Sequence, residues 1–234
     1  MATTRTASPT PITITTMSTD AALYRLLTWL SPAYPVGAYS YSHGIEYSVE
    51  TGLVRDGDAL VDWVAHAVMH GAGLTDAALL AASWRGEDVL ALADAWRGSA
   101  EMALEARAQG AAFLAATRAA WPHAALDELA LRARREVALP VAVGVAARAH
   151  SVPLEVTLTA YLHAFAANLV SAGVRLIPLG QTEGQRAIAA LEPAIVAAAR
   201  TARDTKLDEI GTASPMIDWC SMKHETQYTR LFRS

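Results

Sequence analysis

SPAYPVGAYSYSHGIEYSVETG, residues Ser31 to Gly52, is the stretch around which the rest of the chain is arranged. Apolar helical patterns flank it on both sides, and four of the chain's seven tyrosines lie inside it. Ser31-Pro32 predicts the end of the preceding helix, because a residue before proline is pushed out of the αR region. Pro35 and Gly37 hold an irregular connection. Ser40 or Ser42 is expected to cap a new helix, with Glu46 favoured at the positive end of its macrodipole. The stretch therefore reads as a corner between helices. Its tyrosines either fill that corner or form a rigid amphipathic surface of the kind interfaces use.

Working outward, apolar residues at Leu23, Leu26, Leu27 and Leu30 predict a helix from Ala21 to Leu30. Met1 to Asp20, rich in threonine and without helical period, reads as a disordered arm. Asp58 is the expected cap of a helix with Leu60, Val61, Val64, Ala67 and Val68 on its buried stripe, ended by Gly71 and Gly73. Helices are then expected at Thr75–Trp84, Glu87–Arg97, Ala100–Arg118 and Ala125–Arg135. Pro140 and Pro153 sit well in the first turns of two more, and Gly173 is a plausible stop for the second. Thr182 and Gln185, three apart, suit a capping box for a helix that Pro193 kinks or restarts. No stretch alternates as a strand. The expectation is one all-α domain of about ten helices over residues 21–211, followed by an extended or partner-ordered tail at 212–234.

Composition agrees with helix: 53% of residues are hydrophobic, alanine is the commonest, and β-branched runs are few. A formal charge of -4 leaves no broad footprint for nucleic acid. Apolar runs fall short of the roughly 18 residues that cross a bilayer, so no membrane role is expected. The single cysteine, Cys220, cannot form an internal disulfide and suits a reducing compartment. A cytoplasmic protein is expected.

Few residues promise chemistry. The chain has no G-x-x-x-x-G-K-[ST] phosphate loop. Asp62, His66 and His70 share one helix face at intervals of four, and imidazole with carboxylate suits zinc or nickel. Polar residues opposite an apolar stripe are also what any surface helix shows, and the glutamate of H-E-x-x-H is missing. Cys220 and His224 are four apart, but nothing fixes a base beside the thiol. No catalytic residue, stable metal site or bound cofactor is expected. The tail is more telling. Trp219, Tyr228, Leu231 and Phe232 alternate with Lys223, Arg230 and Arg233, and aromatics with arginine anchor interfaces, so the tail either docks back on its own domain or is ordered against a partner.

Three segments carry a resemblance. LLTWLSPAYPVGAYSYSHGIEYSVETGLV, VRLIPLGQTEGQRAIAAL (Val174 to Leu191) and SPMIDWCSMKHETQYTRLFRS (Ser214 to Ser234) resemble, in order, the signature stretches of the urease accessory protein F (UreF) family. The resemblance implies an all-helical, non-catalytic member of the urease maturation machinery that forms homodimers. It implies binding to the accessory protein UreD/UreH, through it to nickel-free apo-urease, and recruitment of the GTPase UreG. Nickel is then handled by the complex. Carried over by residue, Tyr39, Ser40, Tyr41, Ser42, His43 and Glu46 match the motif that resembles the GTPase-facing surface. Gly180, Gln181, Thr182, Gly184 and Gln185 match the motif expected to support that surface or the dimer. His224, Glu225, Gln227, Tyr228, Arg230, Leu231 and Phe232 match the motif whose family role is docking UreD/UreH. Two other expectations stay open: a GTPase-activating protein with an arginine finger, and a nickel chaperone using Asp62, His66 and His70.

Overall fold

The computed structural model describes residues 19–134 and 136–234. These form eleven α-helices and two single 3₁₀ turns, with no strand among the described residues. In order they are α1 (Thr19–Trp29), a turn at Ala38–Ser40, α2 (Ile45–Glu50), α3 (Gly57–His70), α4 (Ala72–Arg85), α5 (Leu90–Ala95) and α6 (Ala100–Ala120). There follow α7 (Ala124–Ala133), α8 (Leu139–Ala149), α9 (Leu154–Leu176), α10 (Gln181–Asp204), a turn at Leu207–Glu209 and α11 (Pro215–His224). The all-α expectation holds. Of the expected arm, residues 1–18 lie outside the described residues, and Thr19 and Asp20 belong to α1.

Helix α4 sits at the centre. Ala77 to Ala82 are buried all round its circumference, as a helix with neighbours on every side must be. Those neighbours are α3, α8, α9 and α10. Alanine keeps α4 thin enough for several helices to approach, while Leu79 and Leu80 fill the gaps with Leu60, Leu158, Leu162 and Leu191. Helix α6 packs on α8, and α11 packs on α2 and α6.

Several expected boundaries move for local reasons. Asp56, not Asp58, caps α3: its Oδ1 accepts from Ala59 N at 2.9 Å. Gly71 ends α3 and opens α4 at once, which puts Gly73 inside α4. Helix α9 runs through Gly173 to Leu176. That glycine serves packing, since a Cβ there would fall 2.4 Å from Leu60 Cδ2. Helix α10 starts at Gln181 with Gly180 as its cap residue, and Glu183 Oε2 accepts from Gly180 N at 2.8 Å. Thr182 and Gln185 therefore make no capping box. The helix continues through Pro193 to Asp204. Only one amide donor is lost there, which long helices tolerate when packing holds both halves.

The largest departure is the tail. It contains α11, and its last residues return to the body, burying Phe232 and Ser234. It is held by its own domain, through the groups described next.

Candidate functional site

The corner from Ser31 to Glu50 and the tail from His224 to Ser234 make one structure. Gly37, at φ 72°, supplies the left-handed turn that opens the Ala38–Ser40 turn. This leaves Tyr39 pointing outward, 68% exposed. Tyr34 and Tyr41 turn inward: Tyr34 OH meets Thr117 Oγ1 at 2.8 Å, and Tyr41 O accepts from Asn168 Nδ2 at 3.2 Å. His43 occupies the left-handed region at φ 54°, an unusual place for a side-chain-bearing residue. It is held there by Glu105, at 3.1 Å from Nδ1, and by the Phe165 ring edge-on at 5.2 Å. Gly44 follows at φ 77° and caps α2. A Cβ on it would lie 2.7 Å from Ser221 N, so α11 rests directly on this backbone. Neither Ser40 nor Ser42 is the cap residue of α2. Ser42 Oγ and N both bond Ser234 O, and Ser42 Oγ also accepts from Glu46 N at 3.4 Å in the first turn of α2.

Glu46 in the first turn of α2 is the hub. Its Oε1 accepts from Leu231 N at 2.6 Å, and its Oε2 accepts from Phe232 N at 2.9 Å and faces His224 Nε2 at 3.0 Å. On the other side of that imidazole, Nδ1 faces Glu101 Oε2 at 2.7 Å. Glu101 Oε1 accepts from Arg230 Nη1 at 2.6 Å. One helical turn on, Glu105 accepts from His43, from Gln109 Nε2 at 2.9 Å and from Ser234 Oγ at 2.9 Å. Buried charges are costly unless paired and hydrogen-bonded in this way. Burial pulls the His43 pKa down, but the charge and hydrogen bond of Glu105 outweigh it, and the net displacement is upward.

A last clamp comes from α9. The Arg175 guanidinium lies 4.3 Å from the centre of the Phe232 ring, and its Nη2 donates to Tyr39 O at 2.9 Å. Arg233 N adds a bond to Ser40 O at 2.8 Å.

The residues expected to face partners thus divide. Tyr41, Ser42, His43, Glu46, His224 and Phe232 are buried and form the frame. Tyr39, Tyr228 and Leu231 are exposed on it, Tyr228 completely. Gln227 and Glu225 tie the tail down, through Glu50 and the Ala100 amide. Gln181, Thr182 and Gln185 are exposed on the first turns of α10 and hydrogen-bond neither motif. Sequence reasoning missed Glu101, Glu105 and Arg175. The two glutamates did leave a signal: four apart on α6, they share a stripe with Met102, Ala106 and Phe113, where charge has no place without a partner.

The His66 and His70 rings are neighbours, 5.0 Å between centroids, but Asp62 does not complete a metal-holding group with them. His66 Nε2 is committed to Ala213 O at 3.0 Å, and His70 contributes its backbone carbonyl to Ala213 N. Among the described residues no group of three or more His, Cys, Asp or Glu is placed to hold a metal ion. Burial drives the Cys220 pKa up to about 11, so the thiolate a nucleophile needs is scarce. No helix among the described residues is long and apolar enough to cross a membrane.

Fold and site together define a class: an all-helical protein that presents aromatic side chains from a buried ionic frame. Comparison with known proteins narrows it. A family model named UreF matches residues 54–192. The urease accessory protein UreF of Granulibacter bethesdensis is 53% identical, over 94% of this chain and 97% of its own length. That of Rhodopseudomonas palustris strain BisB5 is 47% identical over the whole of both chains, and that of Bradyrhizobium diazoefficiens 48% over 92% of each. The chain belongs to the UreF family of urease accessory proteins, and its role is in urease maturation.

Proposed function

We propose that this chain is a non-catalytic adaptor, acting as a homodimer. It holds the UreD/UreH accessory protein, and through it nickel-free urease, together with the GTPase UreG, so that nickel passes as cargo inside the assembly. The observation that carries this reading is the common frame under the exposed aromatics. Tyr39, Tyr228 and Leu231 are exposed on segments that the Glu46 hub joins. Large side chains on a preordered backbone are good anchors, because little further entropy is lost when a partner covers them. Arginine and lysine beside them suit acidic partner surfaces. The high pKa of Cys220 and the commitment of His43 and His224 to carboxylates favour scaffolding over catalysis.

The test is size-exclusion chromatography with light scattering on the chain alone, with UreD/UreH, and with both UreD/UreH and GTP-loaded UreG. A dimer of this chain that co-elutes with both partners is expected. Tyr39→Ala should release UreG while keeping UreD/UreH, and the double change Tyr228→Ala, Leu231→Ala should release UreD/UreH. All three side chains are exposed, so stability should move by no more than about 0.5 kcal/mol. A folded chain that ignores both partners would overturn the adaptor. Single-turnover GTP hydrolysis in the same mixture reads whether the chain also alters the GTPase rate.

A further inference from the structure

A cavity of about 490 Å³ has Tyr39 on its lining, and its size is typical of small-molecule sites. Val36, Met102 and Leu169 contribute to an apolar wall, and Trp96 and Phe165 add aromatic surface. Three carboxylates line the same chamber: Asp76, Glu105 and Asp218. Two of them are settled. Asp76 Oδ1 meets Arg97 Nη1 at 2.7 Å, and its Oδ2 accepts from Tyr161 OH at 3.0 Å. Glu105 takes His43, Gln109 and Ser234 as described.

Asp218 is left over. It is half-buried on α11, and its carboxyl has no hydrogen bond or ion pair with the described residues. Its Oδ1 lies over Gly98, another residue of the lining, so closely that a Cβ there would sit 2.5 Å away. Burial raises its pKa, and the opposing pull of His43 is the smaller effect. A carboxylate that loses water without gaining a partner is costly. Of the bases on the lining, Arg97 is committed to Asp76 and His43 to Glu105, while His163 is exposed to solvent. With those pairs closed, the chamber keeps an excess negative charge at Asp218. An anion would add to that excess, and a neutral molecule would leave it uncompensated. A cation with an apolar body answers both the carboxylate and the wall.

We propose that this cavity is a binding site for a small organic cation, a protonated primary amine carrying an apolar body of aromatic size. The ammonium donates to the Asp218 carboxylate, and the body takes the apolar wall of the same chamber. Aromatic surface in that wall further favours a cation over its neutral counterpart. Binding is a property of this chain by itself, so it does not depend on the adaptor reading.

Titration calorimetry on the full chain alone, at physiological ionic strength, tests it with three probes that differ in the head: 3-phenylpropan-1-amine, 3-phenylpropan-1-ol and 3-phenylpropanoate. The amine should bind with a Kd on the order of 0.1–1 mM, given its size. The alcohol should bind about tenfold more weakly, and the carboxylate more weakly still. Asp218→Asn keeps the shape and removes the charge, and with no side-chain hydrogen bond to lose it should unfold at the native urea midpoint. It should weaken the amine about tenfold and leave the alcohol within about twofold. Asp208→Asn, at an exposed carboxyl outside the cavity, should leave the amine affinity unchanged. The preference of the native chain for amine over alcohol needs no variant. Alcohol or carboxylate binding as tightly as the amine would overturn the proposal. So would an unchanged amine affinity in Asp218→Asn, or no binding of the amine up to about 10 mM, which would mark a chamber that holds only water.

Discussion

Replacing Glu46 with glutamine is the sharpest probe of the frame, because it changes charge and hydrogen bonding without changing volume. In the native chain Oε1 takes Leu231 N, while Oε2 takes Phe232 N and faces His224 Nε2. Glutamine has one acceptor oxygen. The amide turns so that this oxygen keeps the Oε2 position, and its NH₂ then confronts the Leu231 N–H. A buried donor left facing a donor costs about 1–3 kcal/mol. The imidazole also loses one of its two carboxylates. Breaking a buried pair outright costs about 3–5 kcal/mol, and Glu101 on the other nitrogen keeps this loss below that range. Together these give a destabilisation of about 3 kcal/mol, a large share of the roughly 5–15 kcal/mol that holds an ordinary domain. Urea unfolding followed by tryptophan fluorescence reads the total. Amide hydrogen exchange at Leu231 and Phe232 reads where the loss falls, and both amides should lose protection first. A loss under about 1 kcal/mol with those amides still protected would refute the hub argument.

Other consequences follow from single contacts. A Cβ at Gly110 would come within 2.0 Å of Val137 O, backbone that cannot swing aside. Gly110→Ala should therefore cost about 3 kcal/mol or more, seen as a lowered thermal midpoint. His43 has its pKa raised in the fold above the ordinary 6.5, so the folded state holds its proton more tightly than the unfolded chain. Its contribution is complete below 6.5 and declines as pH climbs through the raised folded value. Urea midpoints across neutral and mildly alkaline pH should fall, and His43→Gln should flatten that slope. With its pKa near 11 and no exposure, Cys220 should resist a thiol reagent in the folded protein at neutral pH and label fully once unfolded.

How much of this was legible beforehand depends on the distance between interacting residues. The helices came from apolar stripes and from Gly and Pro punctuation, which are local signals, and they are present in the structure. Boundaries shifted where a glycine had two meanings: Gly173 makes room for Leu60 instead of ending α9. The corner and the tail were both legible as special, but their union was not. The partner of the Phe232 amide lies 186 positions earlier in the chain. Nothing in a window around either end shows that Glu46, His224 and Glu101 meet. Exposure was likewise unreadable: Tyr39 and Tyr41 are two residues apart in one motif, and one faces solvent while the other faces the core. Only the acidic pair on α6 broke a local rule strongly enough to have betrayed the frame.

The dependence of α2 on the tail also sets an order of events on the ribosome. Helix α2 has six residues, too few to persist alone in water. Its hub is satisfied by groups made some 178 positions later. Residues 38–50 must therefore wait, incompletely structured, until His224 and the residues that follow it have been synthesised, a delay of about ten seconds or more at ordinary elongation rates. The aromatic corner encoded near the beginning is among the last parts of the molecule to take shape. A nascent chain stalled before α11 would carry its Tyr39 surface in an unfinished form.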